Sequence, residues 1–116
     1  MQICIKNKKT YDGEGEYVGR PSALGNPIKI DKNTSRSVSI YRYAIWLHDA
    51  ISCNDPIIIE ALDHLFSILV DNQKLNLICW CTPEACHAEI IKKCLMNRYY
   101  HGTYLINDRI NVRGGI

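Results

Sequence analysis

At 116 residues the chain fits one domain, long enough to bury a core without obligatory disulfides or metals, which chains below ~40 residues usually need. With 47% hydrophobic and 22% charged residues, the composition excludes the disordered and fibrous classes. A formal charge of +2 falls short of the strongly basic balance that makes nucleic acid a default partner, so nucleic acid is not favoured.

The chain-order reading begins with "QICIK", residues 2–6, which alternates polar and apolar as a half-buried strand does. The short basic run "KNKK", residues 6–9, fits a solvated turn. Turn-rich "NKKTYDGEGE" then leads to a second extended run at Tyr17 and Val18. From Ser35 or Ser37 to about Cys53, the spacing of Val38, Tyr41, Ile45, Trp46, Leu47 and Ala50 predicts a helix, broken by Asn54, Asp55 and Pro56. Asp55 caps a second helix with Pro56 at its first position, running to about Val70 with Ile59, Leu62, Phe66 and Leu69 on one face. "KLNLICW" is the clearest strand. Thr82, Pro83 and Glu84 then carry the signals of a helix start, a capping hydroxyl, an N1 proline and a first-turn carboxylate, and this third helix is expected to run to about Tyr99. "TYLINDRINV" alternates like a hairpin around Asn107 and Asp108, so the tail 101–116 is read as a candidate hairpin.

Strands that feed helices in this order predict a single small α/β domain spanning 1–116, with a partly parallel sheet of about three to five strands and about three helices. Such sheets bind ligands beyond the carboxyl ends of their strands. No apolar stretch approaches the ~20 residues of a membrane span and no secretory h-region follows Met1, so a cytoplasmic protein is expected. Thiols stay reduced there, and the six cysteines read as core residues, metal ligands or reactive groups rather than as disulfides.

Two segments carry chemistry. "ICWCTPEACHAEII", residues 78–91, puts Cys79, Cys81, Cys86 and His87 at a strand-to-helix corner. Zinc takes four such ligands, but adjacent helical residues diverge by ~100° and a second Cys-x-x-Cys knuckle is lacking, so no metal ligand is assigned, no cofactor is predicted, and zinc stays the alternative. A reactive thiol suits the corner better: with Thr82 as cap, Cys86 and His87 enter a helix just past its first turn, where the amide dipoles favour a thiolate. The competing reading packs Cys86 in the core and has His87 donate to a backbone carbonyl. Cys79 and Cys94 are expected in the core.

The other segment, "YVGRPSALGNP", residues 17–27, has glycines and prolines that hold a loop in shape, while Arg20, Ser22 and Asn26 offer a charged fork, a hydroxyl and an amide for phosphate or carboxylate. It matches neither a Walker loop nor a G-x-G-x-x-G turn. In the plainer alternative Arg20 pairs with a carboxylate and Leu24 plugs the core.

Together, "VGRPSALGNP", "RSVSIYRYAIWL" and "LICWCTPEACHAEII" resemble a family of small uncharacterised domains, widespread in bacteriophage and bacterial genomes, that pairs a G-R-x-S-x-x-G-N-P loop with a C-W-C-x-P-x-x-C-H-A segment. The resemblance covers about residues 16–95. It falls on Gly19, Arg20, Ser22, Gly25, Asn26 and Pro27 in the loop and on Cys79, Trp80, Cys81, Pro83, Cys86 and His87 at the corner. It implies that the two segments belong to one module and that a phage origin, hence a host cytoplasm, suits the chain.

The expected function is binding of a small anionic ligand, a nucleotide or phosphorylated sugar, in a cleft between the Arg20 loop and the corner. Arg20, Ser22, Asn26, Trp80 and Cys81 are the candidate ligand-binding residues, and Cys86 with His87 the candidate catalytic pair of a thiol-dependent transferase or hydrolase. The alternative is a non-enzymatic phage accessory protein that binds a host protein, its Cys/His corner structural or zinc-binding and its surface formed by Tyr99, Tyr100, Tyr104 and His101.

Overall fold

The computed structural model describes residues 1–82 and 84–106. Alternation in "QICIKN" gives β1 (Gln2–Asn7), and β2 is a short run, Glu16–Tyr17. Helix α1 (Arg36–Ser52) starts at Ser35, whose side chain accepts from the Val38 amide. Helix α2 (Pro56–Asn72) starts at Asp55, which accepts from the Ile57 and Ile58 amides, with Pro56 at the first position where its missing N–H costs nothing. It ends on Gln73 in the left-handed region at φ 58°. Strand β3 (Lys74–Cys79) follows at once, and α3 (Ala88–His101) ends on Gly102 at φ 81°.

The sheet has the order β1-β3-β2 and both pairings are parallel, Gln2 to Asn7 against Lys74 to Cys79 and Glu16–Tyr17 against Leu77–Ile78. The small α/β domain with three helices is as expected, and its sheet is parallel in both pairings. Helix α2 packs on β3, α3 on β1 and β3, and α1 lies against α2 and α3. Leu47, Leu62, Leu69, Leu75, Leu77, Ile91 and Leu95 form the fully buried centre. Each such leucine or isoleucine stabilises the fold by roughly 1.5–3 kcal/mol through its transfer from water. Cys79 and Cys94 are buried among them, as expected.

The inner faces differ in detail from the predicted ones. On α1 the buried row is Ser39, Tyr43, Ala44, Leu47 and Ile51, while Val38 is exposed. On α2 it is Ile58, Leu62, Leu65 and Leu69, with Ile59 and Phe66 at its margin. The larger correction concerns α3. It begins at Ala88, so Thr82 and Glu84 precede it, Thr82 is not its cap, and Cys86 and His87 are not helical. Tertiary contacts override the local signal: Cys86 and His87 turn inward and are buried, with the His87 ring against the Val18 carbonyl, and the Glu89 and Ile90 amides then start the helix on the carbonyls of Cys86 and His87. The expectation at Pro83 and the candidate hairpin around Asn107 and Asp108 lie outside the described residues.

Tyr104 is also placed differently from the surface role first read for it. It is buried, its hydroxyl donates to Asp63 Oδ1 at 2.6 Å, and its ring meets Phe66 edge-on; Tyr99 and Tyr100 are exposed. Among the described residues no helix is long and apolar enough to cross a membrane.

Candidate functional site

At the carboxyl ends of β2 and β3 lies an open cleft of about 390 Å³. One wall is the 19–28 loop, which α1 clamps from behind. Asn26 Nδ2–H donates to Ser39 Oγ at 2.9 Å, the Ser39 hydroxyl donates to the Ile28 carbonyl at 2.6 Å, and the Ile28 amide returns to Asn26 Oδ1 at 2.9 Å. One turn along the helix, the buried Tyr43 hydroxyl donates to the Leu24 carbonyl at 2.6 Å. Gly25 lies flush against Arg20, where an added Cβ would come within 2.9 Å of its backbone N and Cα, so only glycine fits without displacing that backbone.

The opposite wall is the exit of β3. Asn7, at the end of β1, holds it by donating to the Thr82 carbonyl at 2.7 Å. Trp80 stands half exposed at the rim, and its indole N–H donates to the Tyr17 hydroxyl at 2.9 Å. Tyr17 in turn donates to the Arg20 carbonyl at 2.7 Å, tying the two walls together.

Two guanidinium groups reach the cleft. Arg20 is exposed; it donates to the Asn26 carbonyl at 3.2 Å, and among the described residues no carboxylate pairs with it. A guanidinium has five N–H donors, so most of those on Arg20 stay free for a ligand. Arg36, in the first turn of α1, donates to the Ala85 carbonyl at 3.2 Å and pairs with Glu84 at 3.2 Å. A hydrogen bond to Cys81 raises its pKa, with burial opposing and Glu84 reinforcing, so it carries full charge.

The floor is the Cys86–His87 pair. Cys86 Sγ lies 3.3 Å from His87 Nδ1, and His87 Nε2 lies 2.7 Å from the Val18 carbonyl oxygen. A carbonyl only accepts, so Nε2 carries the proton and the Nδ1 lone pair faces the sulfur. Tyr43 meets the imidazole edge-on at 5.1 Å. Burial lowers the pKa of His87; the Val18 carbonyl opposes this and the Arg20 charge adds to it, leaving a neutral imidazole. The thiol does not follow the expectation of a standing thiolate. Burial pushes the Cys86 pKa up, the Ala88 amide only partly offsets this, and the neighbouring Cys79 adds to the rise. Cys86 lies just before α3 and not past its first turn, so the Ala88 amide is the helix group that favours its anion, and desolvation outweighs it.

Of the candidate residues, Arg20, Asn26, Trp80, Cys81, Cys86 and His87 line this one cleft. Asn26 lines it with both ends of its amide already engaged, which makes it a support of the loop. Ser22 does not reach it: its buried hydroxyl has no partner among the described residues and borders a separate hollow with Val18, Leu24, Ala61 and Leu65. Sequence reasoning missed Tyr17, Arg36 and Ser39 as parts of the cleft. Arg36 and Ala85 are far apart in sequence, and only the packing of α1 against the corner joins them. Among the described residues no three His, Cys, Asp or Glu side chains converge as a metal site.

Comparison with curated proteins and with solved structures finds no match. The comparison with protein families does: over residues 3–97, a span that takes in all of β1 but Gln2 and both walls of the cleft, the chain matches the family described as a domain of unknown function, DUF4326, and belongs to it.

Proposed function

We propose that this domain binds a small phosphorylated ligand, a nucleotide in preference to a phospho-sugar, in the cleft between the Arg20 loop and the β3 exit. The observation that carries this reading is the convergence of Arg20, Arg36 and the exposed Trp80 on one hollow. Guanidinium forks bind phosphate oxygens in bidentate fashion. An indole offers a flat apolar face on which a base stacks, worth roughly 1–3 kcal/mol per base, and this favours a nucleotide. The volume of about 390 Å³ falls in the range of small-molecule sites, roughly 300–1,000 Å³. The location beyond the carboxyl ends of parallel strands is where such sheets gather ligands.

Titration calorimetry with a nucleoside 5′-monophosphate, ribose 5-phosphate and inorganic phosphate tests the reading. The nucleotide should bind tightest of the three. Arg20→Ala should weaken all of them about tenfold, the loss of one charge-assisted hydrogen-bond set. Trp80→Leu should erase the advantage of the nucleotide, costing it far more affinity than it costs inorganic phosphate. Equal, unmeasurable heats for all three ligands would remove the proposal.

A further inference from the structure

The binding reading leaves the floor of the cleft unused. A cysteine that served packing alone would need no acceptor, yet the Cys86 sulfur faces the Nδ1 lone pair of His87 at 3.3 Å, and His87 is fixed in that tautomer by its 2.7 Å bond to the Val18 carbonyl. Both side chains are buried, and both border the same hollow as Arg20 and Arg36. A thiol, a base within reach of it and a third group that orients the base make up the arrangement that activates a nucleophile.

We infer that Cys86 is a nucleophile with His87 as its general base, acting on an electrophilic carbon of an anionic ester whose charged group rests on Arg20 and Arg36. The inference rests on the anion-binding reading above. In the first step the Cys86 proton passes to His87 Nδ1, the sulfur forms a bond to the acyl carbon, and the carbonyl π pair moves to oxygen. The C–O bond to the leaving alkoxide then breaks, and the alkoxide takes the proton from Nδ1. Water, deprotonated by the same nitrogen, attacks the resulting thioester. The acid departs and the thiol regains its proton. Throughout, the Val18 carbonyl accepts from Nε2 and steadies the transient imidazolium. The thiol rests neutral because burial raises its pKa, so proton transfer accompanies attack instead of preceding it.

Alkylation of the full chain, with each cysteine followed by peptide mass spectrometry, tests this. Iodoacetate carries the carboxylate that the arginines would hold, whereas iodoacetamide is its neutral counterpart and the faster reagent toward ordinary thiols. Cys86 should react at least about fivefold faster with iodoacetate, and exposed Cys53 should show the ordinary, opposite order. Inorganic phosphate should protect Cys86 and leave Cys53 alone. Arg20→Ala should abolish the preference, and His87→Gln should slow Cys86 about tenfold; if that variant does not fold, phosphate protection and the Cys53 reference within the native chain still decide. A Cys86 that neither reagent touches, in protein that binds phosphate by calorimetry, overturns the nucleophile and leaves the anion site standing. Absence of both phosphate binding and the iodoacetate preference overturns both readings.

Discussion

Glu84 is the residue that a ligand would have to contend with. Its carboxylate pairs at 3.2 Å with Arg36, which lines the cleft, and its own side chain is 69% exposed. A phosphate entering the cleft competes with it for the same fork. Exposed ion pairs are weak, because water screens them and two long side chains must be ordered, so the competition is modest. Glu84→Gln should therefore tighten inorganic phosphate by about twofold to fivefold, an advantage that fades near 1 M salt, where the Debye length shrinks to ~3 Å. Titration calorimetry at low and high salt checks this; unchanged affinity at low salt would mean that Arg36 does not meet the anion. From the sequence Glu84 reads as the first-turn carboxylate of the third helix, and Arg36, in the first turn of α1, looks like an ordinary solvated charge. The link between them is made only by the fold.

At the scale of elements, the strands and the first two helices were legible because their signals are local: alternation in "QICIKN" and "KLNLIC", the Ser35 cap, and Asp55 with Pro56. The start of α3 was not, since the burial of Cys86 and His87 outweighs the cap signal at Thr82. The inner face of α1 was misread for a related reason. Its buried row includes Ser39 and Tyr43, whose hydroxyls bind loop carbonyls at Ile28 and Leu24. A hydrophobic periodicity counts Ser39 as polar, and following it through Val38 and Tyr41 instead of Ser39 and Tyr43 places the face elsewhere. The same bonds make α1 the support of the Arg20 loop. Ser39→Ala strands the Ile28 carbonyl and one Asn26 N–H, which should cost about 1–3 kcal/mol. Denaturant unfolding should show that loss in the midpoint, and phosphate affinity should fall with it although Ser39 carries no charge. A variant as stable as the parent, with full affinity, would show that the Asn26–Ser39–Ile28 ring does not hold the loop.

At the scale of the whole molecule, the buried His87, Cys86 and Cys94 set how stability varies with pH. Burial lowers the folded pKa of His87 below its ordinary value of ~6.5. As pH falls through ~6.5 the unfolded chain takes up a proton at His87 that the folded chain refuses, so the unfolded state binds more protons and stability drops. The thiols act in the opposite sense. Burial pushes Cys94 up to about 12 and also raises Cys86. Above ~8.5 the unfolded chain releases thiol protons that the folded chain keeps, and stability falls again. Thermal melts at fixed ionic strength should therefore give the highest Tm between about pH 6.5 and 8.5, with losses on both sides. His87→Gln should flatten the acid side, and Cys94→Ala should make the alkaline side shallower. A Tm that climbs steadily through pH 9 would mean that the folded chain gives up thiol protons more readily than the unfolded one, with a thiol pKa held below ~8.5 by the fold. In that event Cys86 would be a standing thiolate, and its attack would no longer require His87 to take its proton.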